Sequence, residues 1–153
     1  MGLASLALCV GLAVAFAMRA RRAGRGRLAT MLASLTLFAG CVVTVLATLH
    51  AATIVSLRVA AWQSGGRFGY DFRFYSLMLL AGVLAAAGVS LARHAPRLSR
   101  AEPEARRRTL VLLVALFAVN APLAPLQGFA IGVGALALAL FVLLAAVKKP
   151  FRG

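Results

Sequence analysis

Four long stretches of the chain contain no Arg, Lys, Asp or Glu, and clusters of arginine separate them. The stretches are 1–18, 28–57, 74–92 and 109–147. The hydrocarbon core of a bilayer is roughly 30 Å thick, so about 20 apolar residues of helix cross it. Because each stretch is about that long or longer, the sequence predicts an all-α integral membrane protein. We expect one polytopic domain, a bundle of four to five transmembrane helices.

The composition favours a surface that faces lipid. Apolar residues make up 63% of the chain and the mean hydropathy is +0.95, which is too apolar for a domain that must cover itself with water-facing side chains. The first apolar stretch precedes its arginines, the reverse of the order in a signal peptide. We therefore expect a retained first helix with its N-terminus outside.

The last apolar stretch, 109–147, is too long for a single span. As one helix it would measure about 59 Å, nearly twice the thickness of the hydrocarbon core. Pro122 and Pro125 lie between Asn120 on one side and Gln127 and Gly128 on the other. Prolines so placed favour a break in the helix. The predicted spans are therefore 3–18, 28–50, 75–92, 109–121 and 126–147. A re-entrant hairpin over 109–128 is the alternative.

Charge supports five spans. The formal net charge is +14, and all 17 Lys and Arg residues except Arg58, Arg67 and Arg73 fall in the segments 19–27, 93–108 and 148–152. With the N-terminus outside, five spans place these segments and the C-terminus inside, as the positive-inside rule expects. Such loops attract anionic lipid headgroups, so we predict membrane lipids as partners there, and no nucleic acid.

The chain also carries local signals. Arginine greatly outnumbers lysine and alanine is abundant, which is typical of GC-rich bacterial genomes and suggests a bacterial inner membrane. Ser99 and Glu102 have the spacing of a capping box, which predicts the start of a helix in that loop. Cys9 and Cys41 have no CxxC spacing and are interpreted as small apolar residues at helix contacts.

An aromatic segment between the second and third spans is the most distinctive loop. From Arg67 to Phe74 the residues alternate, with aromatic rings at every second position, and an extended strand has this period of two. It is interpreted either as an aromatic belt at the interface or as a docking strip, because aromatic and Arg residues dominate binding hot spots. The predicted partner contacts in this segment are Phe68, Tyr70, Asp71, Phe72 and Arg73.

A second candidate site lies on the outer part of the second helix. His50 and Arg58 are about two helical turns apart, and together with Trp62 and Tyr70 they are predicted to bind a lipid phosphate or a quinone headgroup at the outer interface. The alternative is an interfacial histidine and an arginine that extends toward the headgroups. His94 lies on the other side of the membrane, so the two histidines cannot ligate one haem, and we predict no cofactor.

The spans contain no acidic residue, and proton relays or ion-coupled transporters usually need one. No activated nucleophile or cluster of metal ligands is evident, so we predict neither an enzyme nor a metal site. What remains is helix packing: Gly128 and Gly132 form a GxxxG pattern, which lets helices approach closely. The pattern is interpreted either as packing within the chain or as a contact with the helices of a partner subunit, and in the second case both glycines are predicted partner contacts.

The leading hypothesis is a non-catalytic accessory subunit of a larger bacterial inner-membrane complex, in contact with other integral membrane subunits. One alternative is a homo-oligomeric transporter or channel for a neutral or apolar small solute. Another is a lipid- or quinone-binding membrane protein with its site at the outer interface.

Overall fold

The chain folds into helices throughout the part that the structure describes. The computed structural model describes residues 2–65, 72–121, 128–147 and 151, and these ranges contain no strand. The prediction of an all-α chain is therefore confirmed for these residues. The helices are α1 (Gly2–Arg22), α2 (Arg27–Gln63), α3 (Phe72–Ser99), α4 (Pro103–Asn120) and α5 (Gly128–Ala146).

Three of these helices contain segments that are long and apolar enough to cross a membrane. The segments are Leu3–Arg22 in α1, Arg27–Gln63 in α2 and Phe74–Ser99 in α3, and Ile131–Ala146 in α5 is a shorter apolar helix. The Pro103–Asn120 helix begins with charged residues, since Glu104 and three arginines occupy its first two turns.

The turn between α1 and α2 depends on a glycine. Gly24 has a φ of +73°, in the left-handed region that favours a residue without Cβ. The backbone N–H of Gly24 donates to the carbonyl of Arg21 at 3.0 Å, and that of Arg25 donates to Ala20 at 3.2 Å. These bonds use carbonyl groups that the end of a helix leaves without partners. The chain therefore reverses within four residues and α2 runs antiparallel to α1.

The second helix is a single continuous element. It has 37 residues, which corresponds to about 55 Å, so it continues well past His50. Several of its hydroxyl side chains are satisfied within the helix: Thr36 Oγ1 donates to the Leu32 carbonyl at 2.8 Å, and Thr44 Oγ1 does the same to Gly40. Such internal bonds let polar residues lie in an apolar environment.

The closest approach between helices is the crossing of α2 and α3 at Gly40 and Gly88. A Cβ placed on Gly40 would lie 2.6 Å from the Gly88 carbonyl oxygen and 2.7 Å from the Ala92 nitrogen. A Cβ on Gly88 would overlap the Thr44 hydroxyl and lie 2.7 Å from the Gly40 carbonyl oxygen. Only glycine allows the two backbones to come this close, so this pair sets the distance between α2 and α3.

The loop between α3 and α4 corrects one prediction. Ser99 is the last residue of α3, and its hydroxyl donates to the Pro96 carbonyl at 2.7 Å. The cap of α4 is Glu102, without a side-chain capping bond, and Pro103 is its first residue. The predicted capping box from Ser99 to Glu102 is therefore wrong. Because proline has a preset φ and needs no donor, α4 begins at Pro103, three residues later than the box predicts but still within the loop where a helix start was expected.

The apolar stretch 109–147 is divided between two antiparallel helices. The Arg106 guanidinium, near the start of α4, donates to the carbonyls of Leu144 and Ala145 near the end of α5, at 2.9 and 3.2 Å. One continuous helix cannot make these contacts. The predicted break residues, Pro122 and Pro125, lie outside the described residues.

The buried core lies between α2, α3, α4 and α5, with α1 packed mainly against α2. Its largest fully buried apolar side chains are leucines, joined by Val133. Cys9 on α1 is buried and Cys41 on α2 is half-buried, as expected for small residues at helix contacts. The leucines are Leu32, Leu84, Leu91, Leu98, Leu113 and Leu144.

Candidate functional site

Three glycines lie exposed in the middle of helices, where packing within the chain does not account for them. A Cβ added to Gly11 on α1, Gly82 on α3 or Gly132 on α5 would have no atom of the described residues within 4 Å. Glycine in the interior of a helix costs about 1 kcal/mol relative to alanine. These positions differ from Gly40 and Gly88, whose missing side chains are required by the α2–α3 crossing.

The glycine on α5 belongs to a continuous exposed face of small residues. Gly132, Ala135, Ala139 and Val142 are all exposed, and their spacings of three and four residues place them on one side of the helix. This set is called the Gly132 face below. Gly128, the other half of the GxxxG pattern, is the first residue of α5, and its surroundings lie outside the described residues.

The face has the properties that contacts between helices in lipid require. Apolar side chains gain nothing by leaving lipid for each other, so association depends on close backbone approach and dispersion. Ile131 beside the face is 59% exposed and Val142 is 55% exposed, so both remain available to a neighbour. The Gly132 face is therefore a candidate contact surface for a helix outside this chain.

The aromatic segment is described only at its end. Residues 66–71 lie outside the described residues, and with them the predicted contacts Phe68, Tyr70 and Asp71. Phe72 and Arg73 are the first two residues of α3, and Phe74 follows them in the helix. The prediction of an extended segment is therefore wrong for residues 72–74, because the helical hydrogen bonding of α3 includes them in spite of their alternating pattern.

The second predicted site is only partly assembled. The Arg58 guanidinium lies 5.7 Å from the centre of the Phe74 ring, a cation–π contact between α2 and α3. His50 is half-buried about 12 Å away along the same helix, and Trp62 is 60% exposed. Tyr70 lies outside the described residues. The contact with Phe74 gives Arg58 a role in joining helices, and a lipid or quinone site here stays a prediction.

Most of the arginines lie at one end of the bundle, where two of them bind other helices of the chain. This arginine-rich end contains the α1–α2 turn, the α3–α4 loop and the end of α5. Arg25 donates to the Ser99 hydroxyl and, at 3.5 Å, to the Pro96 carbonyl, which joins the α1–α2 turn to α3.

Arg106 caps the end of α5. Besides its bonds to Leu144 and Ala145, its guanidinium lies 5.7 Å from the centre of the Phe151 ring. The C-terminal end of a helix carries partial negative charge, so a cation there is stabilising. Arg106 therefore has a role within the bundle, and contact of this loop with lipid headgroups stays a prediction. The sequence contained a signal for this role. Arg106 lies on the same side of α4 as Leu110, one turn later, and the buried Leu113, two turns later.

The sequence analysis also missed Gly40 and Gly88. Each stands four residues before another small residue, Thr44 or Ala92, so both belong to patterns that allow close helix contact. In an alanine-rich chain this pattern is common, and only the tertiary structure separates the pair in contact from Gly82 and Gly132, which are exposed.

The described residues contain no group of three His, Cys, Asp or Glu side chains placed to hold a metal ion. Comparisons with protein-family models, curated proteins and solved structures find no match to this chain. Its function therefore has to be argued from its own geometry.

Proposed function

We propose that this chain is a multi-pass protein of a bacterial inner membrane and a non-catalytic accessory subunit of a larger complex there. Its partners are other integral membrane subunits. The Gly132 face is the observation that carries the proposal, because it is an exposed surface on which a second helix can pack closely.

Membrane location is supported by the exposed apolar surface. Large hydrophobic side chains are exposed along α1, α2, α3, α4 and α5, for example Leu3 at 86%, Leu79 at 70% and Val111 at 64%. Isolated exposed apolar residues are normal on soluble proteins, but contiguous apolar surface over whole helices is not. Lipid and partner helices are the surroundings that such a surface requires.

The charge distribution supports an orientation with the N-terminus outside and the C-terminus inside. The arginine-rich end contains the segments that the positive-inside rule assigns to the cytoplasmic side. In that orientation the aromatic segment lies outside. Its residues Phe68, Tyr70, Asp71, Phe72 and Arg73 form a second proposed contact with a partner subunit.

The test is to replace Gly132 with leucine and to measure what co-purifies with the full chain in a mild detergent. The leucine side chain projects from the Gly132 face and blocks close approach by a partner helix, so we expect the partner subunits to be lost. Ala118→Leu is the matched control, since Ala118 is exposed on α4, away from that face. Retention of the same partners by Gly132→Leu would contradict the proposed contact.

One observation favours a different function, a homo-oligomeric transporter or channel for a neutral or apolar solute. Asn120 at the end of α4 is fully buried, and its Nδ2 donates to the Leu116 carbonyl at 2.8 Å. Its Oδ1 accepts no hydrogen bond from the described residues, and an unsatisfied polar atom in an apolar interior is costly. A homogeneous homo-oligomer with solute flux in liposomes would support this function, whereas a stoichiometric set of other membrane proteins would support the accessory subunit.

A further inference from the structure

A cleft of about 410 Å³ opens between α3 and α4 at the arginine-rich end. On α3 it is lined by Ser90 and His94. On α4 it is lined by charged residues near the start of the helix and by apolar residues further along. The cleft therefore has a polar part and an apolar part, as an amphiphile does.

The order of the α4 residues follows the axis of the helix. Glu104, Arg107 and Arg108 line the polar part, and Val111 and Ala115 line the apolar part. Their spacings of three and four residues place them on one side of α4. From Glu104 to Ala115 the helix rises about 16 Å, which is about half the thickness of the hydrocarbon core. The lined surface therefore has the length of one lipid leaflet.

The three consecutive arginines of α4 have different surroundings. Arg106 is bound to the end of α5, and Arg108 Nε donates to Glu104 Oε1 at 2.9 Å. Arg107 makes no ion pair with any described residue and lines the cleft. Its guanidinium is therefore the cation available for an anionic ligand, and two parallel N–H groups of a guanidinium match the oxygens of a phosphate.

The histidine in the cleft is oriented by its own helix. The His94 Nδ1 lies 2.6 Å from the Ser90 carbonyl oxygen. Because a carbonyl only accepts, Nδ1 carries the proton in this contact, and Nε2 is the nitrogen left for a ligand. The contact also fixes the plane of the ring at the wall of the cleft.

We propose that this cleft binds an anionic phospholipid, with its phosphate at Arg107, a hydroxyl of its headgroup donating to His94 Nε2, and an acyl chain along Val111 and Ala115. The net positive charge of Arg107, Arg108 and Glu104 selects an anionic headgroup. The apolar part of the cleft selects a lipid over free phosphate, since a small anion gains nothing from Val111 and Ala115. The inference rests on the membrane location proposed above and is independent of any partner subunit.

The experiment uses the full chain, freed of lipid in a non-ionic detergent and titrated with phosphatidylglycerol, with bound lipid counted by native mass spectrometry. Arg107→Gln removes the charge and one set of charge-assisted hydrogen bonds, so we expect the apparent affinity to fall about tenfold. Arg22→Gln is the matched control, because Arg22 is an exposed arginine at the end of α1, outside the cleft. We expect it to change the affinity less than twofold.

A second variant tests the apolar part without changing any charge. Ala115→Phe fills the cleft beside Val111, and we expect it to weaken phosphatidylglycerol binding at least fivefold, with the helical circular dichroism unchanged. Competition with inorganic phosphate distinguishes a site for a lipid phosphate from a site for free phosphate. Little competition at millimolar phosphate supports the lipid site, and full competition would show a site for free anions and overturn the proposal.

Equal affinities for Arg107→Gln and Arg22→Gln would also overturn it, since binding would then follow the overall positive charge. Flotation of the wild-type chain with phosphatidylglycerol vesicles distinguishes a failure of the proposed cleft from a failure of the proposed membrane location. If the wild-type chain floats with the vesicles and Arg107→Gln binds lipid normally, only the proposed cleft is contradicted. If the wild-type chain does not enter the vesicles, the proposed membrane location is contradicted.

Discussion

At the scale of single residues, glycine has two distinct roles in this chain. Gly88 lies where α3 crosses α2, and an added Cβ would lie 2.7 Å from the Gly40 carbonyl oxygen. Gly82, less than two turns earlier on the same helix, has no atom within 4 Å of an added Cβ. The same residue type therefore permits an internal contact at one position and leaves an open surface at the other.

The two glycines give a matched pair of substitutions. We expect Gly88→Ala to lower the free energy of unfolding by about 1–3 kcal/mol, because overpacking a close contact shifts backbone or side chains. We expect Gly82→Ala to raise it by up to about 1 kcal/mol, because alanine is the better helix former and has room. Unfolding of the purified chain in mixed detergent micelles, followed by circular dichroism, measures both. Equal effects would contradict the close crossing of α2 and α3 at Gly88.

At the scale of helices, the arginine-rich end is held together by hydrogen bonds from arginine side chains to carbonyl groups near the ends of other helices. Arg106 on α4 binds the last carbonyls of α5, and Arg25 before α2 binds the end of α3. Each bond places a cation at the C-terminal end of a helix, where the partial charge is negative. The arginines of this end therefore contribute to the arrangement of the helices as well as to the charge of the loops.

Arg106 and Arg108 test this role, because they lie two residues apart and differ in their partners. We expect Arg106→Gln to lower the free energy of unfolding by about 1–3 kcal/mol, the usual loss when hydrogen bonds from a charged group are removed. The Arg108–Glu104 pair is more than half exposed, with side-chain exposures of 59% and 60%. Arg108→Gln should therefore cost at most about 0.5 kcal/mol. A larger loss for Arg108→Gln than for Arg106→Gln, in the same detergent assay, would contradict the capping of α5.

At the scale of the whole molecule, the helices separate the chain into two unlike ends. Antiparallel packing brings the α1–α2 turn, the α3–α4 loop and the end of α5 together, and most of the positive charge lies there. The opposite end contains the end of α2 and the start of α3. This asymmetry predicts one orientation in the membrane.

Single cysteines at the two ends test the orientation, in a chain whose Cys9 and Cys41 are replaced by alanine. Ala23 and Ser64 are exposed at opposite ends of α2. We expect Ser64→Cys to react with a membrane-impermeant maleimide on intact spheroplasts, and Ala23→Cys to react only after the membrane is permeabilised. The reverse pattern would place the arginine-rich end outside.

The sequence alone determined that the chain is helical, apolar over most of its length and charged at the connections. These properties are local: helix formation and hydropathy depend on residues within a few turns of one another. Even so, local patterns were misleading twice. The alternation up to Phe74 predicted an extended segment where α3 begins. The spacing of Ser99 and Glu102 predicted a capping box, but α4 begins at Pro103.

Only the tertiary structure decided which residues meet. The hydropathy pattern cannot separate Gly88 from Gly82, or Arg106 from Arg107, because each pair has nearly the same sequence surroundings. The two residues of each pair differ in the direction in which they point from their helix, and therefore in whether another helix lies against them. In an apolar medium the pairing of helices depends on small residues and a few polar contacts. The pairing is therefore a property of the assembled bundle, which no single stretch of the sequence contains.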